Sequence, residues 1–362
     1  MSTLARELAK EGNEVCGLDN FLREGSRGNV EPLRKLGIRV EEGDIRNETD
    51  LAKMPKVDWV LDCAAEPSVL AGTGGGMGSY ELMDHNLIGT IRVLELCKKI
   101  QAGFVLMSTS RVYSVAKLAA VKIQQKGDGR WEMGDGVVRE REGEREGRWQ
   151  SEKRKSEKSE IAGLTSKGIS EEFSTEPPVS LYGASKRCAE LLALEYGDAF
   201  GFPVWINRCG VLAGKGQFGK ADQGIFSYWI RSWRENRPLR YIGFEGTGAQ
   251  VRDCLHPQDL VMVLKKQMAV SVNVNVERER RSEGGVDYRI CNFGGGVGNS
   301  CSLRQLSDWC EKRFWPRKVE ADPKPRPYDL PWVVMDSSRA EKMWGWKVQT
   351  RMEQIFEEIA DS

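Results

Sequence analysis

The chain has 362 residues, of which 40% are hydrophobic and 30% charged, as in an ordinary globular protein with room for a sizeable core. Its 54 Lys and Arg residues balance 53 Asp and Glu residues, which gives no support for a nucleic-acid-binding surface. Residues Met1 to Asn13 lack the apolar segment of a secretory signal, and no apolar run is long enough to span a bilayer, so a cytoplasmic location is expected.

Short apolar segments alternate with helical patterns along the first half of the chain. Ser2–Lys10 is predicted to be a helix, because Leu4 and Leu8 share one of its faces. Two long helices are predicted over Tyr80–Lys99 and Val179–Phe200. The predicted strands are Glu14–Asp19, Arg39–Asp44, Val57–Ala65, Phe104–Ser108 and Pro203–Asn207.

This alternation predicts parallel strands joined by right-handed crossovers, with helices covering both faces of the sheet. The expected fold class is therefore α/β, a Rossmann-like doubly wound parallel sheet, in which ligands bind beyond the carboxyl ends of the strands. From Gly210 onward the pattern loosens, and short strands such as Arg240–Phe244 appear. We expect a sheet domain over residues 1–210 and a smaller substrate-binding region over 211–362, interleaved with it.

Two segments are predicted to be surface insertions. Arg139–Glu160 is charged, repetitive and almost free of apolar residues, so it cannot bury enough surface to order itself. We expect a disordered loop there and a shorter one at Val274–Gly285. The glycine runs Gly72–Gly78 and Gly294–Gly298 lack the spacing of a phosphate-binding turn and are predicted to be flexible loops.

The cysteine and histidine pattern does not suggest a metal site. Nine cysteines are scattered without a CxxC pair, and the two histidines, His85 and His256, are far apart. Zinc sites need ligands clustered at short spacings, so no metal is expected.

The segment from Tyr182 to Lys186 places a tyrosine and a lysine four residues apart, on one face of a helix. A free tyrosine has a pKa of ~10, and a nearby ammonium group favours the phenolate, so the pair can carry protons near neutral pH. Alone, this spacing also fits a solvated helix face. The hydroxyls of Ser108–Ser110 add a second observation, because they follow a central strand and should point into the ligand crevice.

Ser108-Thr-Ser-Arg-Val-Tyr113 followed by Leu181-Tyr-Gly-Ala-Ser-Lys186 resembles the extended short-chain dehydrogenase/reductases, the NAD-dependent epimerases and dehydratases of nucleotide sugars. The resemblance covers nearly the whole chain. It implies that Thr109 hydrogen-bonds the reacting sugar hydroxyl and that Tyr182 is the acid/base. It also implies that Lys186 tunes Tyr182 and holds the nicotinamide ribose.

Further segments match the family's cofactor-binding positions, which implies NAD as the cofactor and residues 1–210 as the NAD-binding domain. Asp19 ends the second strand of the family, and its carboxylate should accept hydrogen bonds from the adenosine ribose, which favours NAD over its 2′-phosphorylated form. Asp44 and Ile45 resemble the adenine-contacting segment. The other implied cofactor residues are Asn20, Ala64, Ala65, Asn86, Tyr182 and Lys186.

On the substrate side, the segment from Val251 to His256 resembles the family's phosphate-binding segment. The resemblance implies that Arg252 makes a forked contact with a nucleotide phosphate. Arg326 is a second phosphate candidate, and Gln223 lies in a segment that looks like the CDP-paratose (CDP-tyvelose) 2-epimerase group. Where the family's dehydratases have an Asp-Glu pair, this chain has Ser110 and Arg111, so the acid pair needed for dehydration is absent.

The family begins with a strand and a Gly-x-x-Gly-x-x-Gly turn before the helix that matches Ser2–Lys10. This sequence begins inside that helix, so we expect the sheet to lack its first strand. The cofactor would then lack the backbone donors that receive its pyrophosphate. We favour a truncated gene model or an alternative start over a genuine loss of the first strand and its glycine turn.

The resemblance implies a nucleotide-sugar epimerase that uses bound NAD for transient oxidation and re-reduction, with carbon 2 of a CDP-sugar as the first hypothesis. The alternatives are another short-chain dehydrogenase/reductase reaction and a non-catalytic paralogue or nucleotide-binding sensor. The expected partners are a nucleotide sugar and, from the family, a second copy in a homodimer. No nucleic acid and no membrane are expected.

Overall fold

The computed structural model describes residues 1–74, 76–127, 131–134, 161–270 and 286–362. The predicted insertions Arg139–Glu160 and Val274–Gly285 lie outside the described residues. Within these ranges, no helix is both long and apolar enough to cross a membrane, and no three His, Cys, Asp or Glu side chains are grouped so that they could hold a metal ion. The nine cysteines are free thiols.

The strands and helices are numbered in chain order. The strands are β1 (Cys16–Asp19), β2 (Arg39–Glu42), β3 (Trp59–Asp62), β4 (Gly103–Thr109), β5 (Ile123–Gln125), β6 (Trp131–Met133), β7 (Leu164–Thr165), β8 (Gly168–Ile169), β9 (Val204–Cys209), β10 (Val211–Leu212), β11 (Arg240–Ile242), β12 (Val251–Leu255), β13 (Ile290–Phe293), β14 (Ser300–Ser302), β15 (Glu320–Asp322) and β16 (Trp332–Val333). The helices are α1 (Ser2–Lys10), α2 (Val30–Arg34), α3 (Glu48–Leu51), α4 (Ser79–Met83), α5 (Gly89–Ile100), α6 (Val115–Ala119), α7 (Leu181–Phe200), α8 (Ile225–Arg234), α9 (Val261–Ala269), α10 (Leu303–Arg313), α11 (Ser338–Trp344) and α12 (Met352–Ala360). A π-helical turn, Asp84–Ile88, joins α4 to α5.

The central sheet has the strand order β13-β9-β4-β3, and all three pairings are parallel. Because side chains alternate across a strand, Phe104 and Leu106 of β4 pack with α5 and α7 on one face. Val105 and Met107 pack with α1 and α9 on the other face. The predicted Rossmann-like doubly wound sheet is thus confirmed, and β13 joins it from the carboxyl-terminal part of the chain.

The sheet has a gap between β1 and β3. Strand β1 pairs in parallel with β2, and no pairing joins β1 or β2 to β3 in the residues that the structure describes. Leu18 and Val60 contact the same hydrophobic cluster, which shows that the two strands belong to one layer. The side chains of β1 and β3 are mostly half-buried, whereas those of β9 are fully buried. The gap therefore leaves an unpaired backbone edge on each side.

The carboxyl-terminal region is built around β12, which pairs with β10, β14 and β16. Helices α8, α10 and α12 cover it with an aromatic core that includes Phe226, Trp229, Trp233 and Phe356. Strand β10 follows β9 after a single residue and pairs with β12. The pairing therefore holds β12 beside the carboxyl end of the central sheet.

The first two glycines of the run Gly294–Gly298, which the sequence predicts to be a flexible loop, are tightly packed. A Cβ atom on Gly294 would lie 2.1 Å from Asp253 Oδ2, and one on Gly295 would lie 2.2 Å from the carbonyl oxygen of Cys254. The Asp253 carboxylate is fully buried and accepts hydrogen bonds from the backbone N–H groups of Gly296 and Met335. Glycine is required because it allows the backbone to reach this carboxylate.

Candidate active site

Strand β4 and helix α7 bring Thr109 and Tyr182 together. Thr109 is the last residue of β4, and its Oγ1 accepts a hydrogen bond from Arg111 N at 3.1 Å, which caps a short 3-10 helix, Ser110–Val112. Helix α7 begins after Ser180, whose Oγ accepts a hydrogen bond from Gly183 N at 3.0 Å. Tyr182 therefore lies in the first turn, where the Thr109 side chain lies beside its hydroxyl.

Gly183 allows this close approach. A Cβ atom at this position would lie 2.2 Å from the carbonyl oxygen of Arg111, so any larger residue would push α7 away from the end of β4. The glycine next to the predicted acid/base is thus explained by backbone packing between the two elements that carry the reactive hydroxyls.

The surroundings of Tyr182 favour its protonated form. Burial raises the pKa of Tyr182 to about 12, while the nearby Thr109 hydroxyl and the positive charge of Arg111 lower it. Nearby Cys209 and Glu66 raise the pKa further. The phenol is therefore a proton donor at neutral pH, and it needs additional positive charge to act as a base.

Lys186 lies one helical turn after Tyr182 and is 1% exposed. Its Nζ has no hydrogen-bond partner among the described residues. A buried ammonium group without a partner is costly, and polar groups of a bound ligand would remove that cost. Lys186 thus suits the ribose-binding position that the sequence predicts, although its role there stays a prediction.

A buried ion pair lies below the reactive hydroxyls and was not predicted from the sequence. Glu190, on α7, accepts hydrogen bonds from Ser108 Oγ at 2.6 Å and from Arg208 Nε and Nη2 at 2.9 and 2.7 Å. Burial alone would raise the pKa of Glu190, but Arg208 and the hydrogen bonds lower it below its ordinary value. Arg208 also donates to Tyr113 Oη at 3.3 Å. The pair ties α7 to both β4 and β9.

The predicted adenosine-binding residues lie at the ends of β1 and β2. Asp19 is exposed, and its Oδ1 accepts a hydrogen bond from Phe21 N at 2.7 Å. Asn20 Nδ2 donates to Asp44 Oδ2 at 3.0 Å. Asp44 is further held by Arg46, and this contact keeps the pKa of Asp44 well below its usual range. The structure brings these three predicted residues together.

The remaining predicted cofactor residues follow β3 or pack beside it. Asn86 is fully buried; it accepts from Glu66 N at 2.8 Å and donates to Glu66 O at 3.0 Å and Ser185 Oγ at 3.1 Å. It thereby fixes the backbone that follows Ala64 and Ala65 against α7. Ile45 packs directly on Gly89 at the start of α5. Their contacts with a cofactor stay predictions.

We expect the protein to bind NAD more tightly than NADP, because the exposed Asp19 carboxylate would repel a 2′-phosphate. Like charges about 4 Å apart repel by roughly 1 kcal/mol in water and more in a partly buried site, so a preference of about tenfold is expected. Fluorescence titration with both nucleotides measures it, and Asp19→Asn should reduce the difference. Tighter NADP binding, or a preference that Asp19→Asn leaves intact, would contradict this role.

The predicted substrate residues Gln223, Arg252 and Arg326 line one cavity, together with Arg111. Arg252 Nη1 donates to the carbonyl oxygens of Val251 and Leu330 at 2.7 and 2.8 Å. Arg252 and Arg326 both pair with Asp329, at 3.3 and 3.1 Å. Burial, together with the positive charge of Arg111, lowers the pKa of Arg252 to about 10. This concentration of positive charge suits a phosphate-bearing ligand.

Sequence reasoning missed three residues of this cavity region. Glu66 accepts a hydrogen bond from Gln223 Nε2 at 2.6 Å, and Asp329 holds the two arginines. In the sequence, Arg111 stands out only because it replaces one residue of the acid pair that the family's dehydratases carry. The spacing of Arg326 and Asp329, three residues apart, was the one sequence signal for a local ion pair.

The sequence model described as the NAD dependent epimerase/dehydratase family matches residues 2–126 and 158–276, more than half of the chain. The chain is 25% identical to CDP-paratose 2-epimerase of Salmonella typhi over 374 aligned positions, which cover 95% of each protein. It is 23% identical to UDP-glucuronate 4-epimerase of Thermodesulfobacterium geofontis, over 96% of this chain and 87% of that protein.

Solved structures show the same fold. The UDP-glucuronic acid 4-epimerase of Bacillus cereus, solved with UDP-glucuronic acid and NAD, superposes with a TM-score of 0.70 and 23% identity, over 99% of this chain and 94% of that one. The resemblance inferred from the motifs around Thr109 and Tyr182 is thus confirmed along nearly the whole length. The chain belongs to the NAD dependent epimerase/dehydratase family, and NAD is the cofactor of that family.

Proposed function

We propose that this chain is a nucleotide-sugar epimerase that transiently oxidises its sugar. The observation that carries the proposal is that the Thr109 and Tyr182 side chains lie beside each other at the carboxyl end of the central sheet. Arg111 connects this pair to the cavity that Arg252 and Arg326 line. A sugar whose diphosphate contacts the arginines can therefore present a hydroxyl to Tyr182.

In this mechanism Thr109 orients the sugar hydroxyl and Tyr182 moves its proton. Bound NAD would supply the acceptor and then the donor of the hydride. Lys186 would hold the nicotinamide ribose, and its charge, with that of Arg111, would favour the phenolate that takes the proton. The protonated Tyr182 then returns the proton to the keto oxygen, so the reaction ends without net oxidation.

The finer part of the proposal concerns which nucleotide carries the sugar and which sugar carbon is epimerised. Similarity to CDP-paratose 2-epimerase over 95% of both proteins supports carbon 2 of a CDP-sugar. A second candidate is epimerisation at carbon 4 of a UDP-sugar, which the similarity to several UDP-glucuronate 4-epimerases favours. Because Ser110 and Arg111 follow Thr109 in place of an acid pair, dehydration is not proposed.

The test is to incubate the protein and NAD with CDP- and UDP-sugars and to follow the sugar by NMR. An epimerase gives a mixture of two epimers with no net NADH. Stoichiometric formation or consumption of NADH would indicate a dehydrogenase or reductase instead. Binding of nucleotide sugars without any conversion would favour a non-catalytic paralogue or a nucleotide-binding sensor.

We also propose a homodimer, as the family resemblance suggests. Tyr80, Leu191 and Phe200 are exposed on α4 and α7, which belong to the two long helical segments through which the family resemblance implies dimerisation. Sedimentation of the protein at several concentrations checks this, since a dimer that uses these helices should dissociate when Leu191 is replaced by a charged residue.

A further inference from the structure

Gln223 connects two segments that follow different strands of the sheet. Arg23 comes shortly after β1, and Glu66 comes shortly after β3. The Arg23 guanidinium group donates a hydrogen bond to Gln223 Oε1, and Gln223 Nε2 donates one to Glu66 Oε1 at 2.6 Å. The three side chains therefore form a bridge across the gap between β1 and β3, at the carboxyl ends of these strands.

The charges of Arg23 and Glu66 determine how the Gln223 amide is oriented. A guanidinium group can only donate hydrogen bonds and an ionised carboxylate can only accept them, so only one orientation of the amide satisfies both neighbours. Each hydrogen bond has one charged partner, which makes it stronger than a bond between neutral groups. Both polar atoms of the amide are thus used within the protein.

Other contacts hold residues 216–223 in place across the same gap. Asn29 Nδ2 donates to Gly216 O at 3.0 Å on the side of β1, and Ser68 Oγ donates to Asp222 Oδ2 on the side of β3. Replacing Gln223 should therefore remove the bridge without displacing the segment that carries it.

The bridge lies on the path that a dinucleotide would follow. The predicted adenosine-binding residue Asp19 ends β1, whereas Tyr182 lies beside the end of β4, on the other side of β3. A ligand that joins these two places, beyond the carboxyl ends of the strands, must cross the gap where the bridge lies. Arg23 Nη1 is buried and has no hydrogen-bond partner among the described residues. An oxygen atom of the dinucleotide would remove the cost of this unpaired donor.

We propose that Gln223 is a positioning residue for the cofactor, because its bridge from Arg23 to Glu66 closes the crevice over the bound dinucleotide and must open whenever NAD enters or leaves. A closed bridge keeps the reduced cofactor beside the oxidised sugar until the hydride returns. The proposal assigns the Gln223 amide to contacts within the protein rather than to the sugar. It goes beyond the proposed epimerase reaction, because it holds for any substrate that this cofactor oxidises.

Stopped-flow fluorescence of NADH tests the proposal. Release is followed by mixing the NADH-loaded protein with excess NAD, and entry by mixing the protein with increasing NADH. Gln223→Ala should raise the release rate roughly 10–100-fold, the factor that corresponds to the loss of hydrogen bonds with charged groups. The rate of entry should rise by a similar factor, because the bridge consists of contacts within the protein. The Kd of NADH should therefore change by less than about threefold.

Two further variants separate a bridge from a direct contact or a general loss of structure. Glu66→Ala breaks the same bridge at its other end, so the double variant with Gln223→Ala should release NADH no faster than either single variant. Gln349→Ala removes an exposed amide that donates to Lys347 O, and it should leave both rates unchanged.

Faster release with unchanged entry would show that Gln223 holds the dinucleotide directly, and it would overturn the proposal. An unchanged release rate, additive effects of the two variants or a protein that does not bind NADH would overturn it as well. Absence of sugar epimerisation would contradict the proposed function alone, because both NADH rates are measured without a sugar.

Discussion

Replacing Tyr182 by phenylalanine should lower turnover by roughly 10²–10⁴-fold, the usual contribution of general acid–base catalysis. The change removes the hydroxyl that lies beside Thr109 but keeps the buried aromatic ring, so the fold of the site is retained. Nucleotide-sugar affinity should change little, because Arg252 and Arg326 are untouched. Steady-state kcat and calorimetric Kd, measured on the same preparation, separate the two effects.

Tyr196→Phe is a matched control for this variant. Tyr196 lies on the same helix, and its hydroxyl donates to Glu95 Oε1 at 2.9 Å near the protein surface. The control should keep full activity. Turnover of Tyr182→Phe within a few-fold of the unaltered protein would remove Tyr182 from the mechanism.

The pH profile of the unaltered enzyme gives an independent check on Tyr182. Because burial raises the pKa of Tyr182 to about 12, the phenolate fraction is small at neutral pH, and proton removal should become faster as the pH rises. Arg111 lowers this pKa, so Arg111→Gln should move the rising limb of kcat to higher pH. A limb that moves to lower pH would contradict the electrostatic role of Arg111.

Replacing Arg208 by methionine should lower the free energy of unfolding by about 3–5 kcal/mol, as expected when one partner of a buried ion pair is removed. Arg208 is 2% exposed, and Glu190 is fully buried. Without the guanidinium group, the Glu190 carboxylate keeps Ser108 and the partly exposed Arg187 as partners but loses two hydrogen bonds and its nearest buried charge. Urea denaturation followed by circular dichroism measures the loss.

Two controls test this explanation. Arg304→Met removes an exposed ion pair with Asp308 and should cost less than about 1 kcal/mol. Adding Glu190→Gln to Arg208→Met should restore part of the stability, because the uncompensated charge is gone. In the single variant, burial should raise the pKa of Glu190 above the ~4.3 of a free glutamate. The loss should therefore be smaller near pH 4 than at pH 7, and a pH-independent loss would contradict the charge argument.

Local patterns predicted much of this fold. The helix Ser2–Lys10 has the bounds that the apolar spacing indicates, and β4 and β9 differ from the predicted strands by one or two residues. These elements were predictable because each has an apolar face of regular period, and a period is visible in a single segment. The order Thr109, Tyr182 and Lys186 was likewise visible as two short motifs.

Contacts between distant segments were not predictable. Glu190 and Arg208 are separated by 18 residues, and Arg252 lies 77 residues before Asp329. Nothing in either local sequence shows that these charges are buried or that they meet, since this depends on how β9 and β12 are placed. The packing of Gly294 and Gly295 was not predictable for the same reason, because their neighbours, Asp253 and Cys254, belong to β12.

The gap beside β3 has a consequence for the local unfolding of the sheet. Among the described residues, strand β1 is paired on one side only, with β2, so about half of its amides have no strand partner there. Amide hydrogens of β4, which lies between β3 and β9, are shielded on both sides. The segment that carries Asp19 should therefore open and exchange its amide hydrogens with solvent far faster than the segment that carries Thr109. The two ends of the proposed cofactor site thus belong to regions of different local stability, so a dinucleotide that spans them would slow exchange mainly at β1.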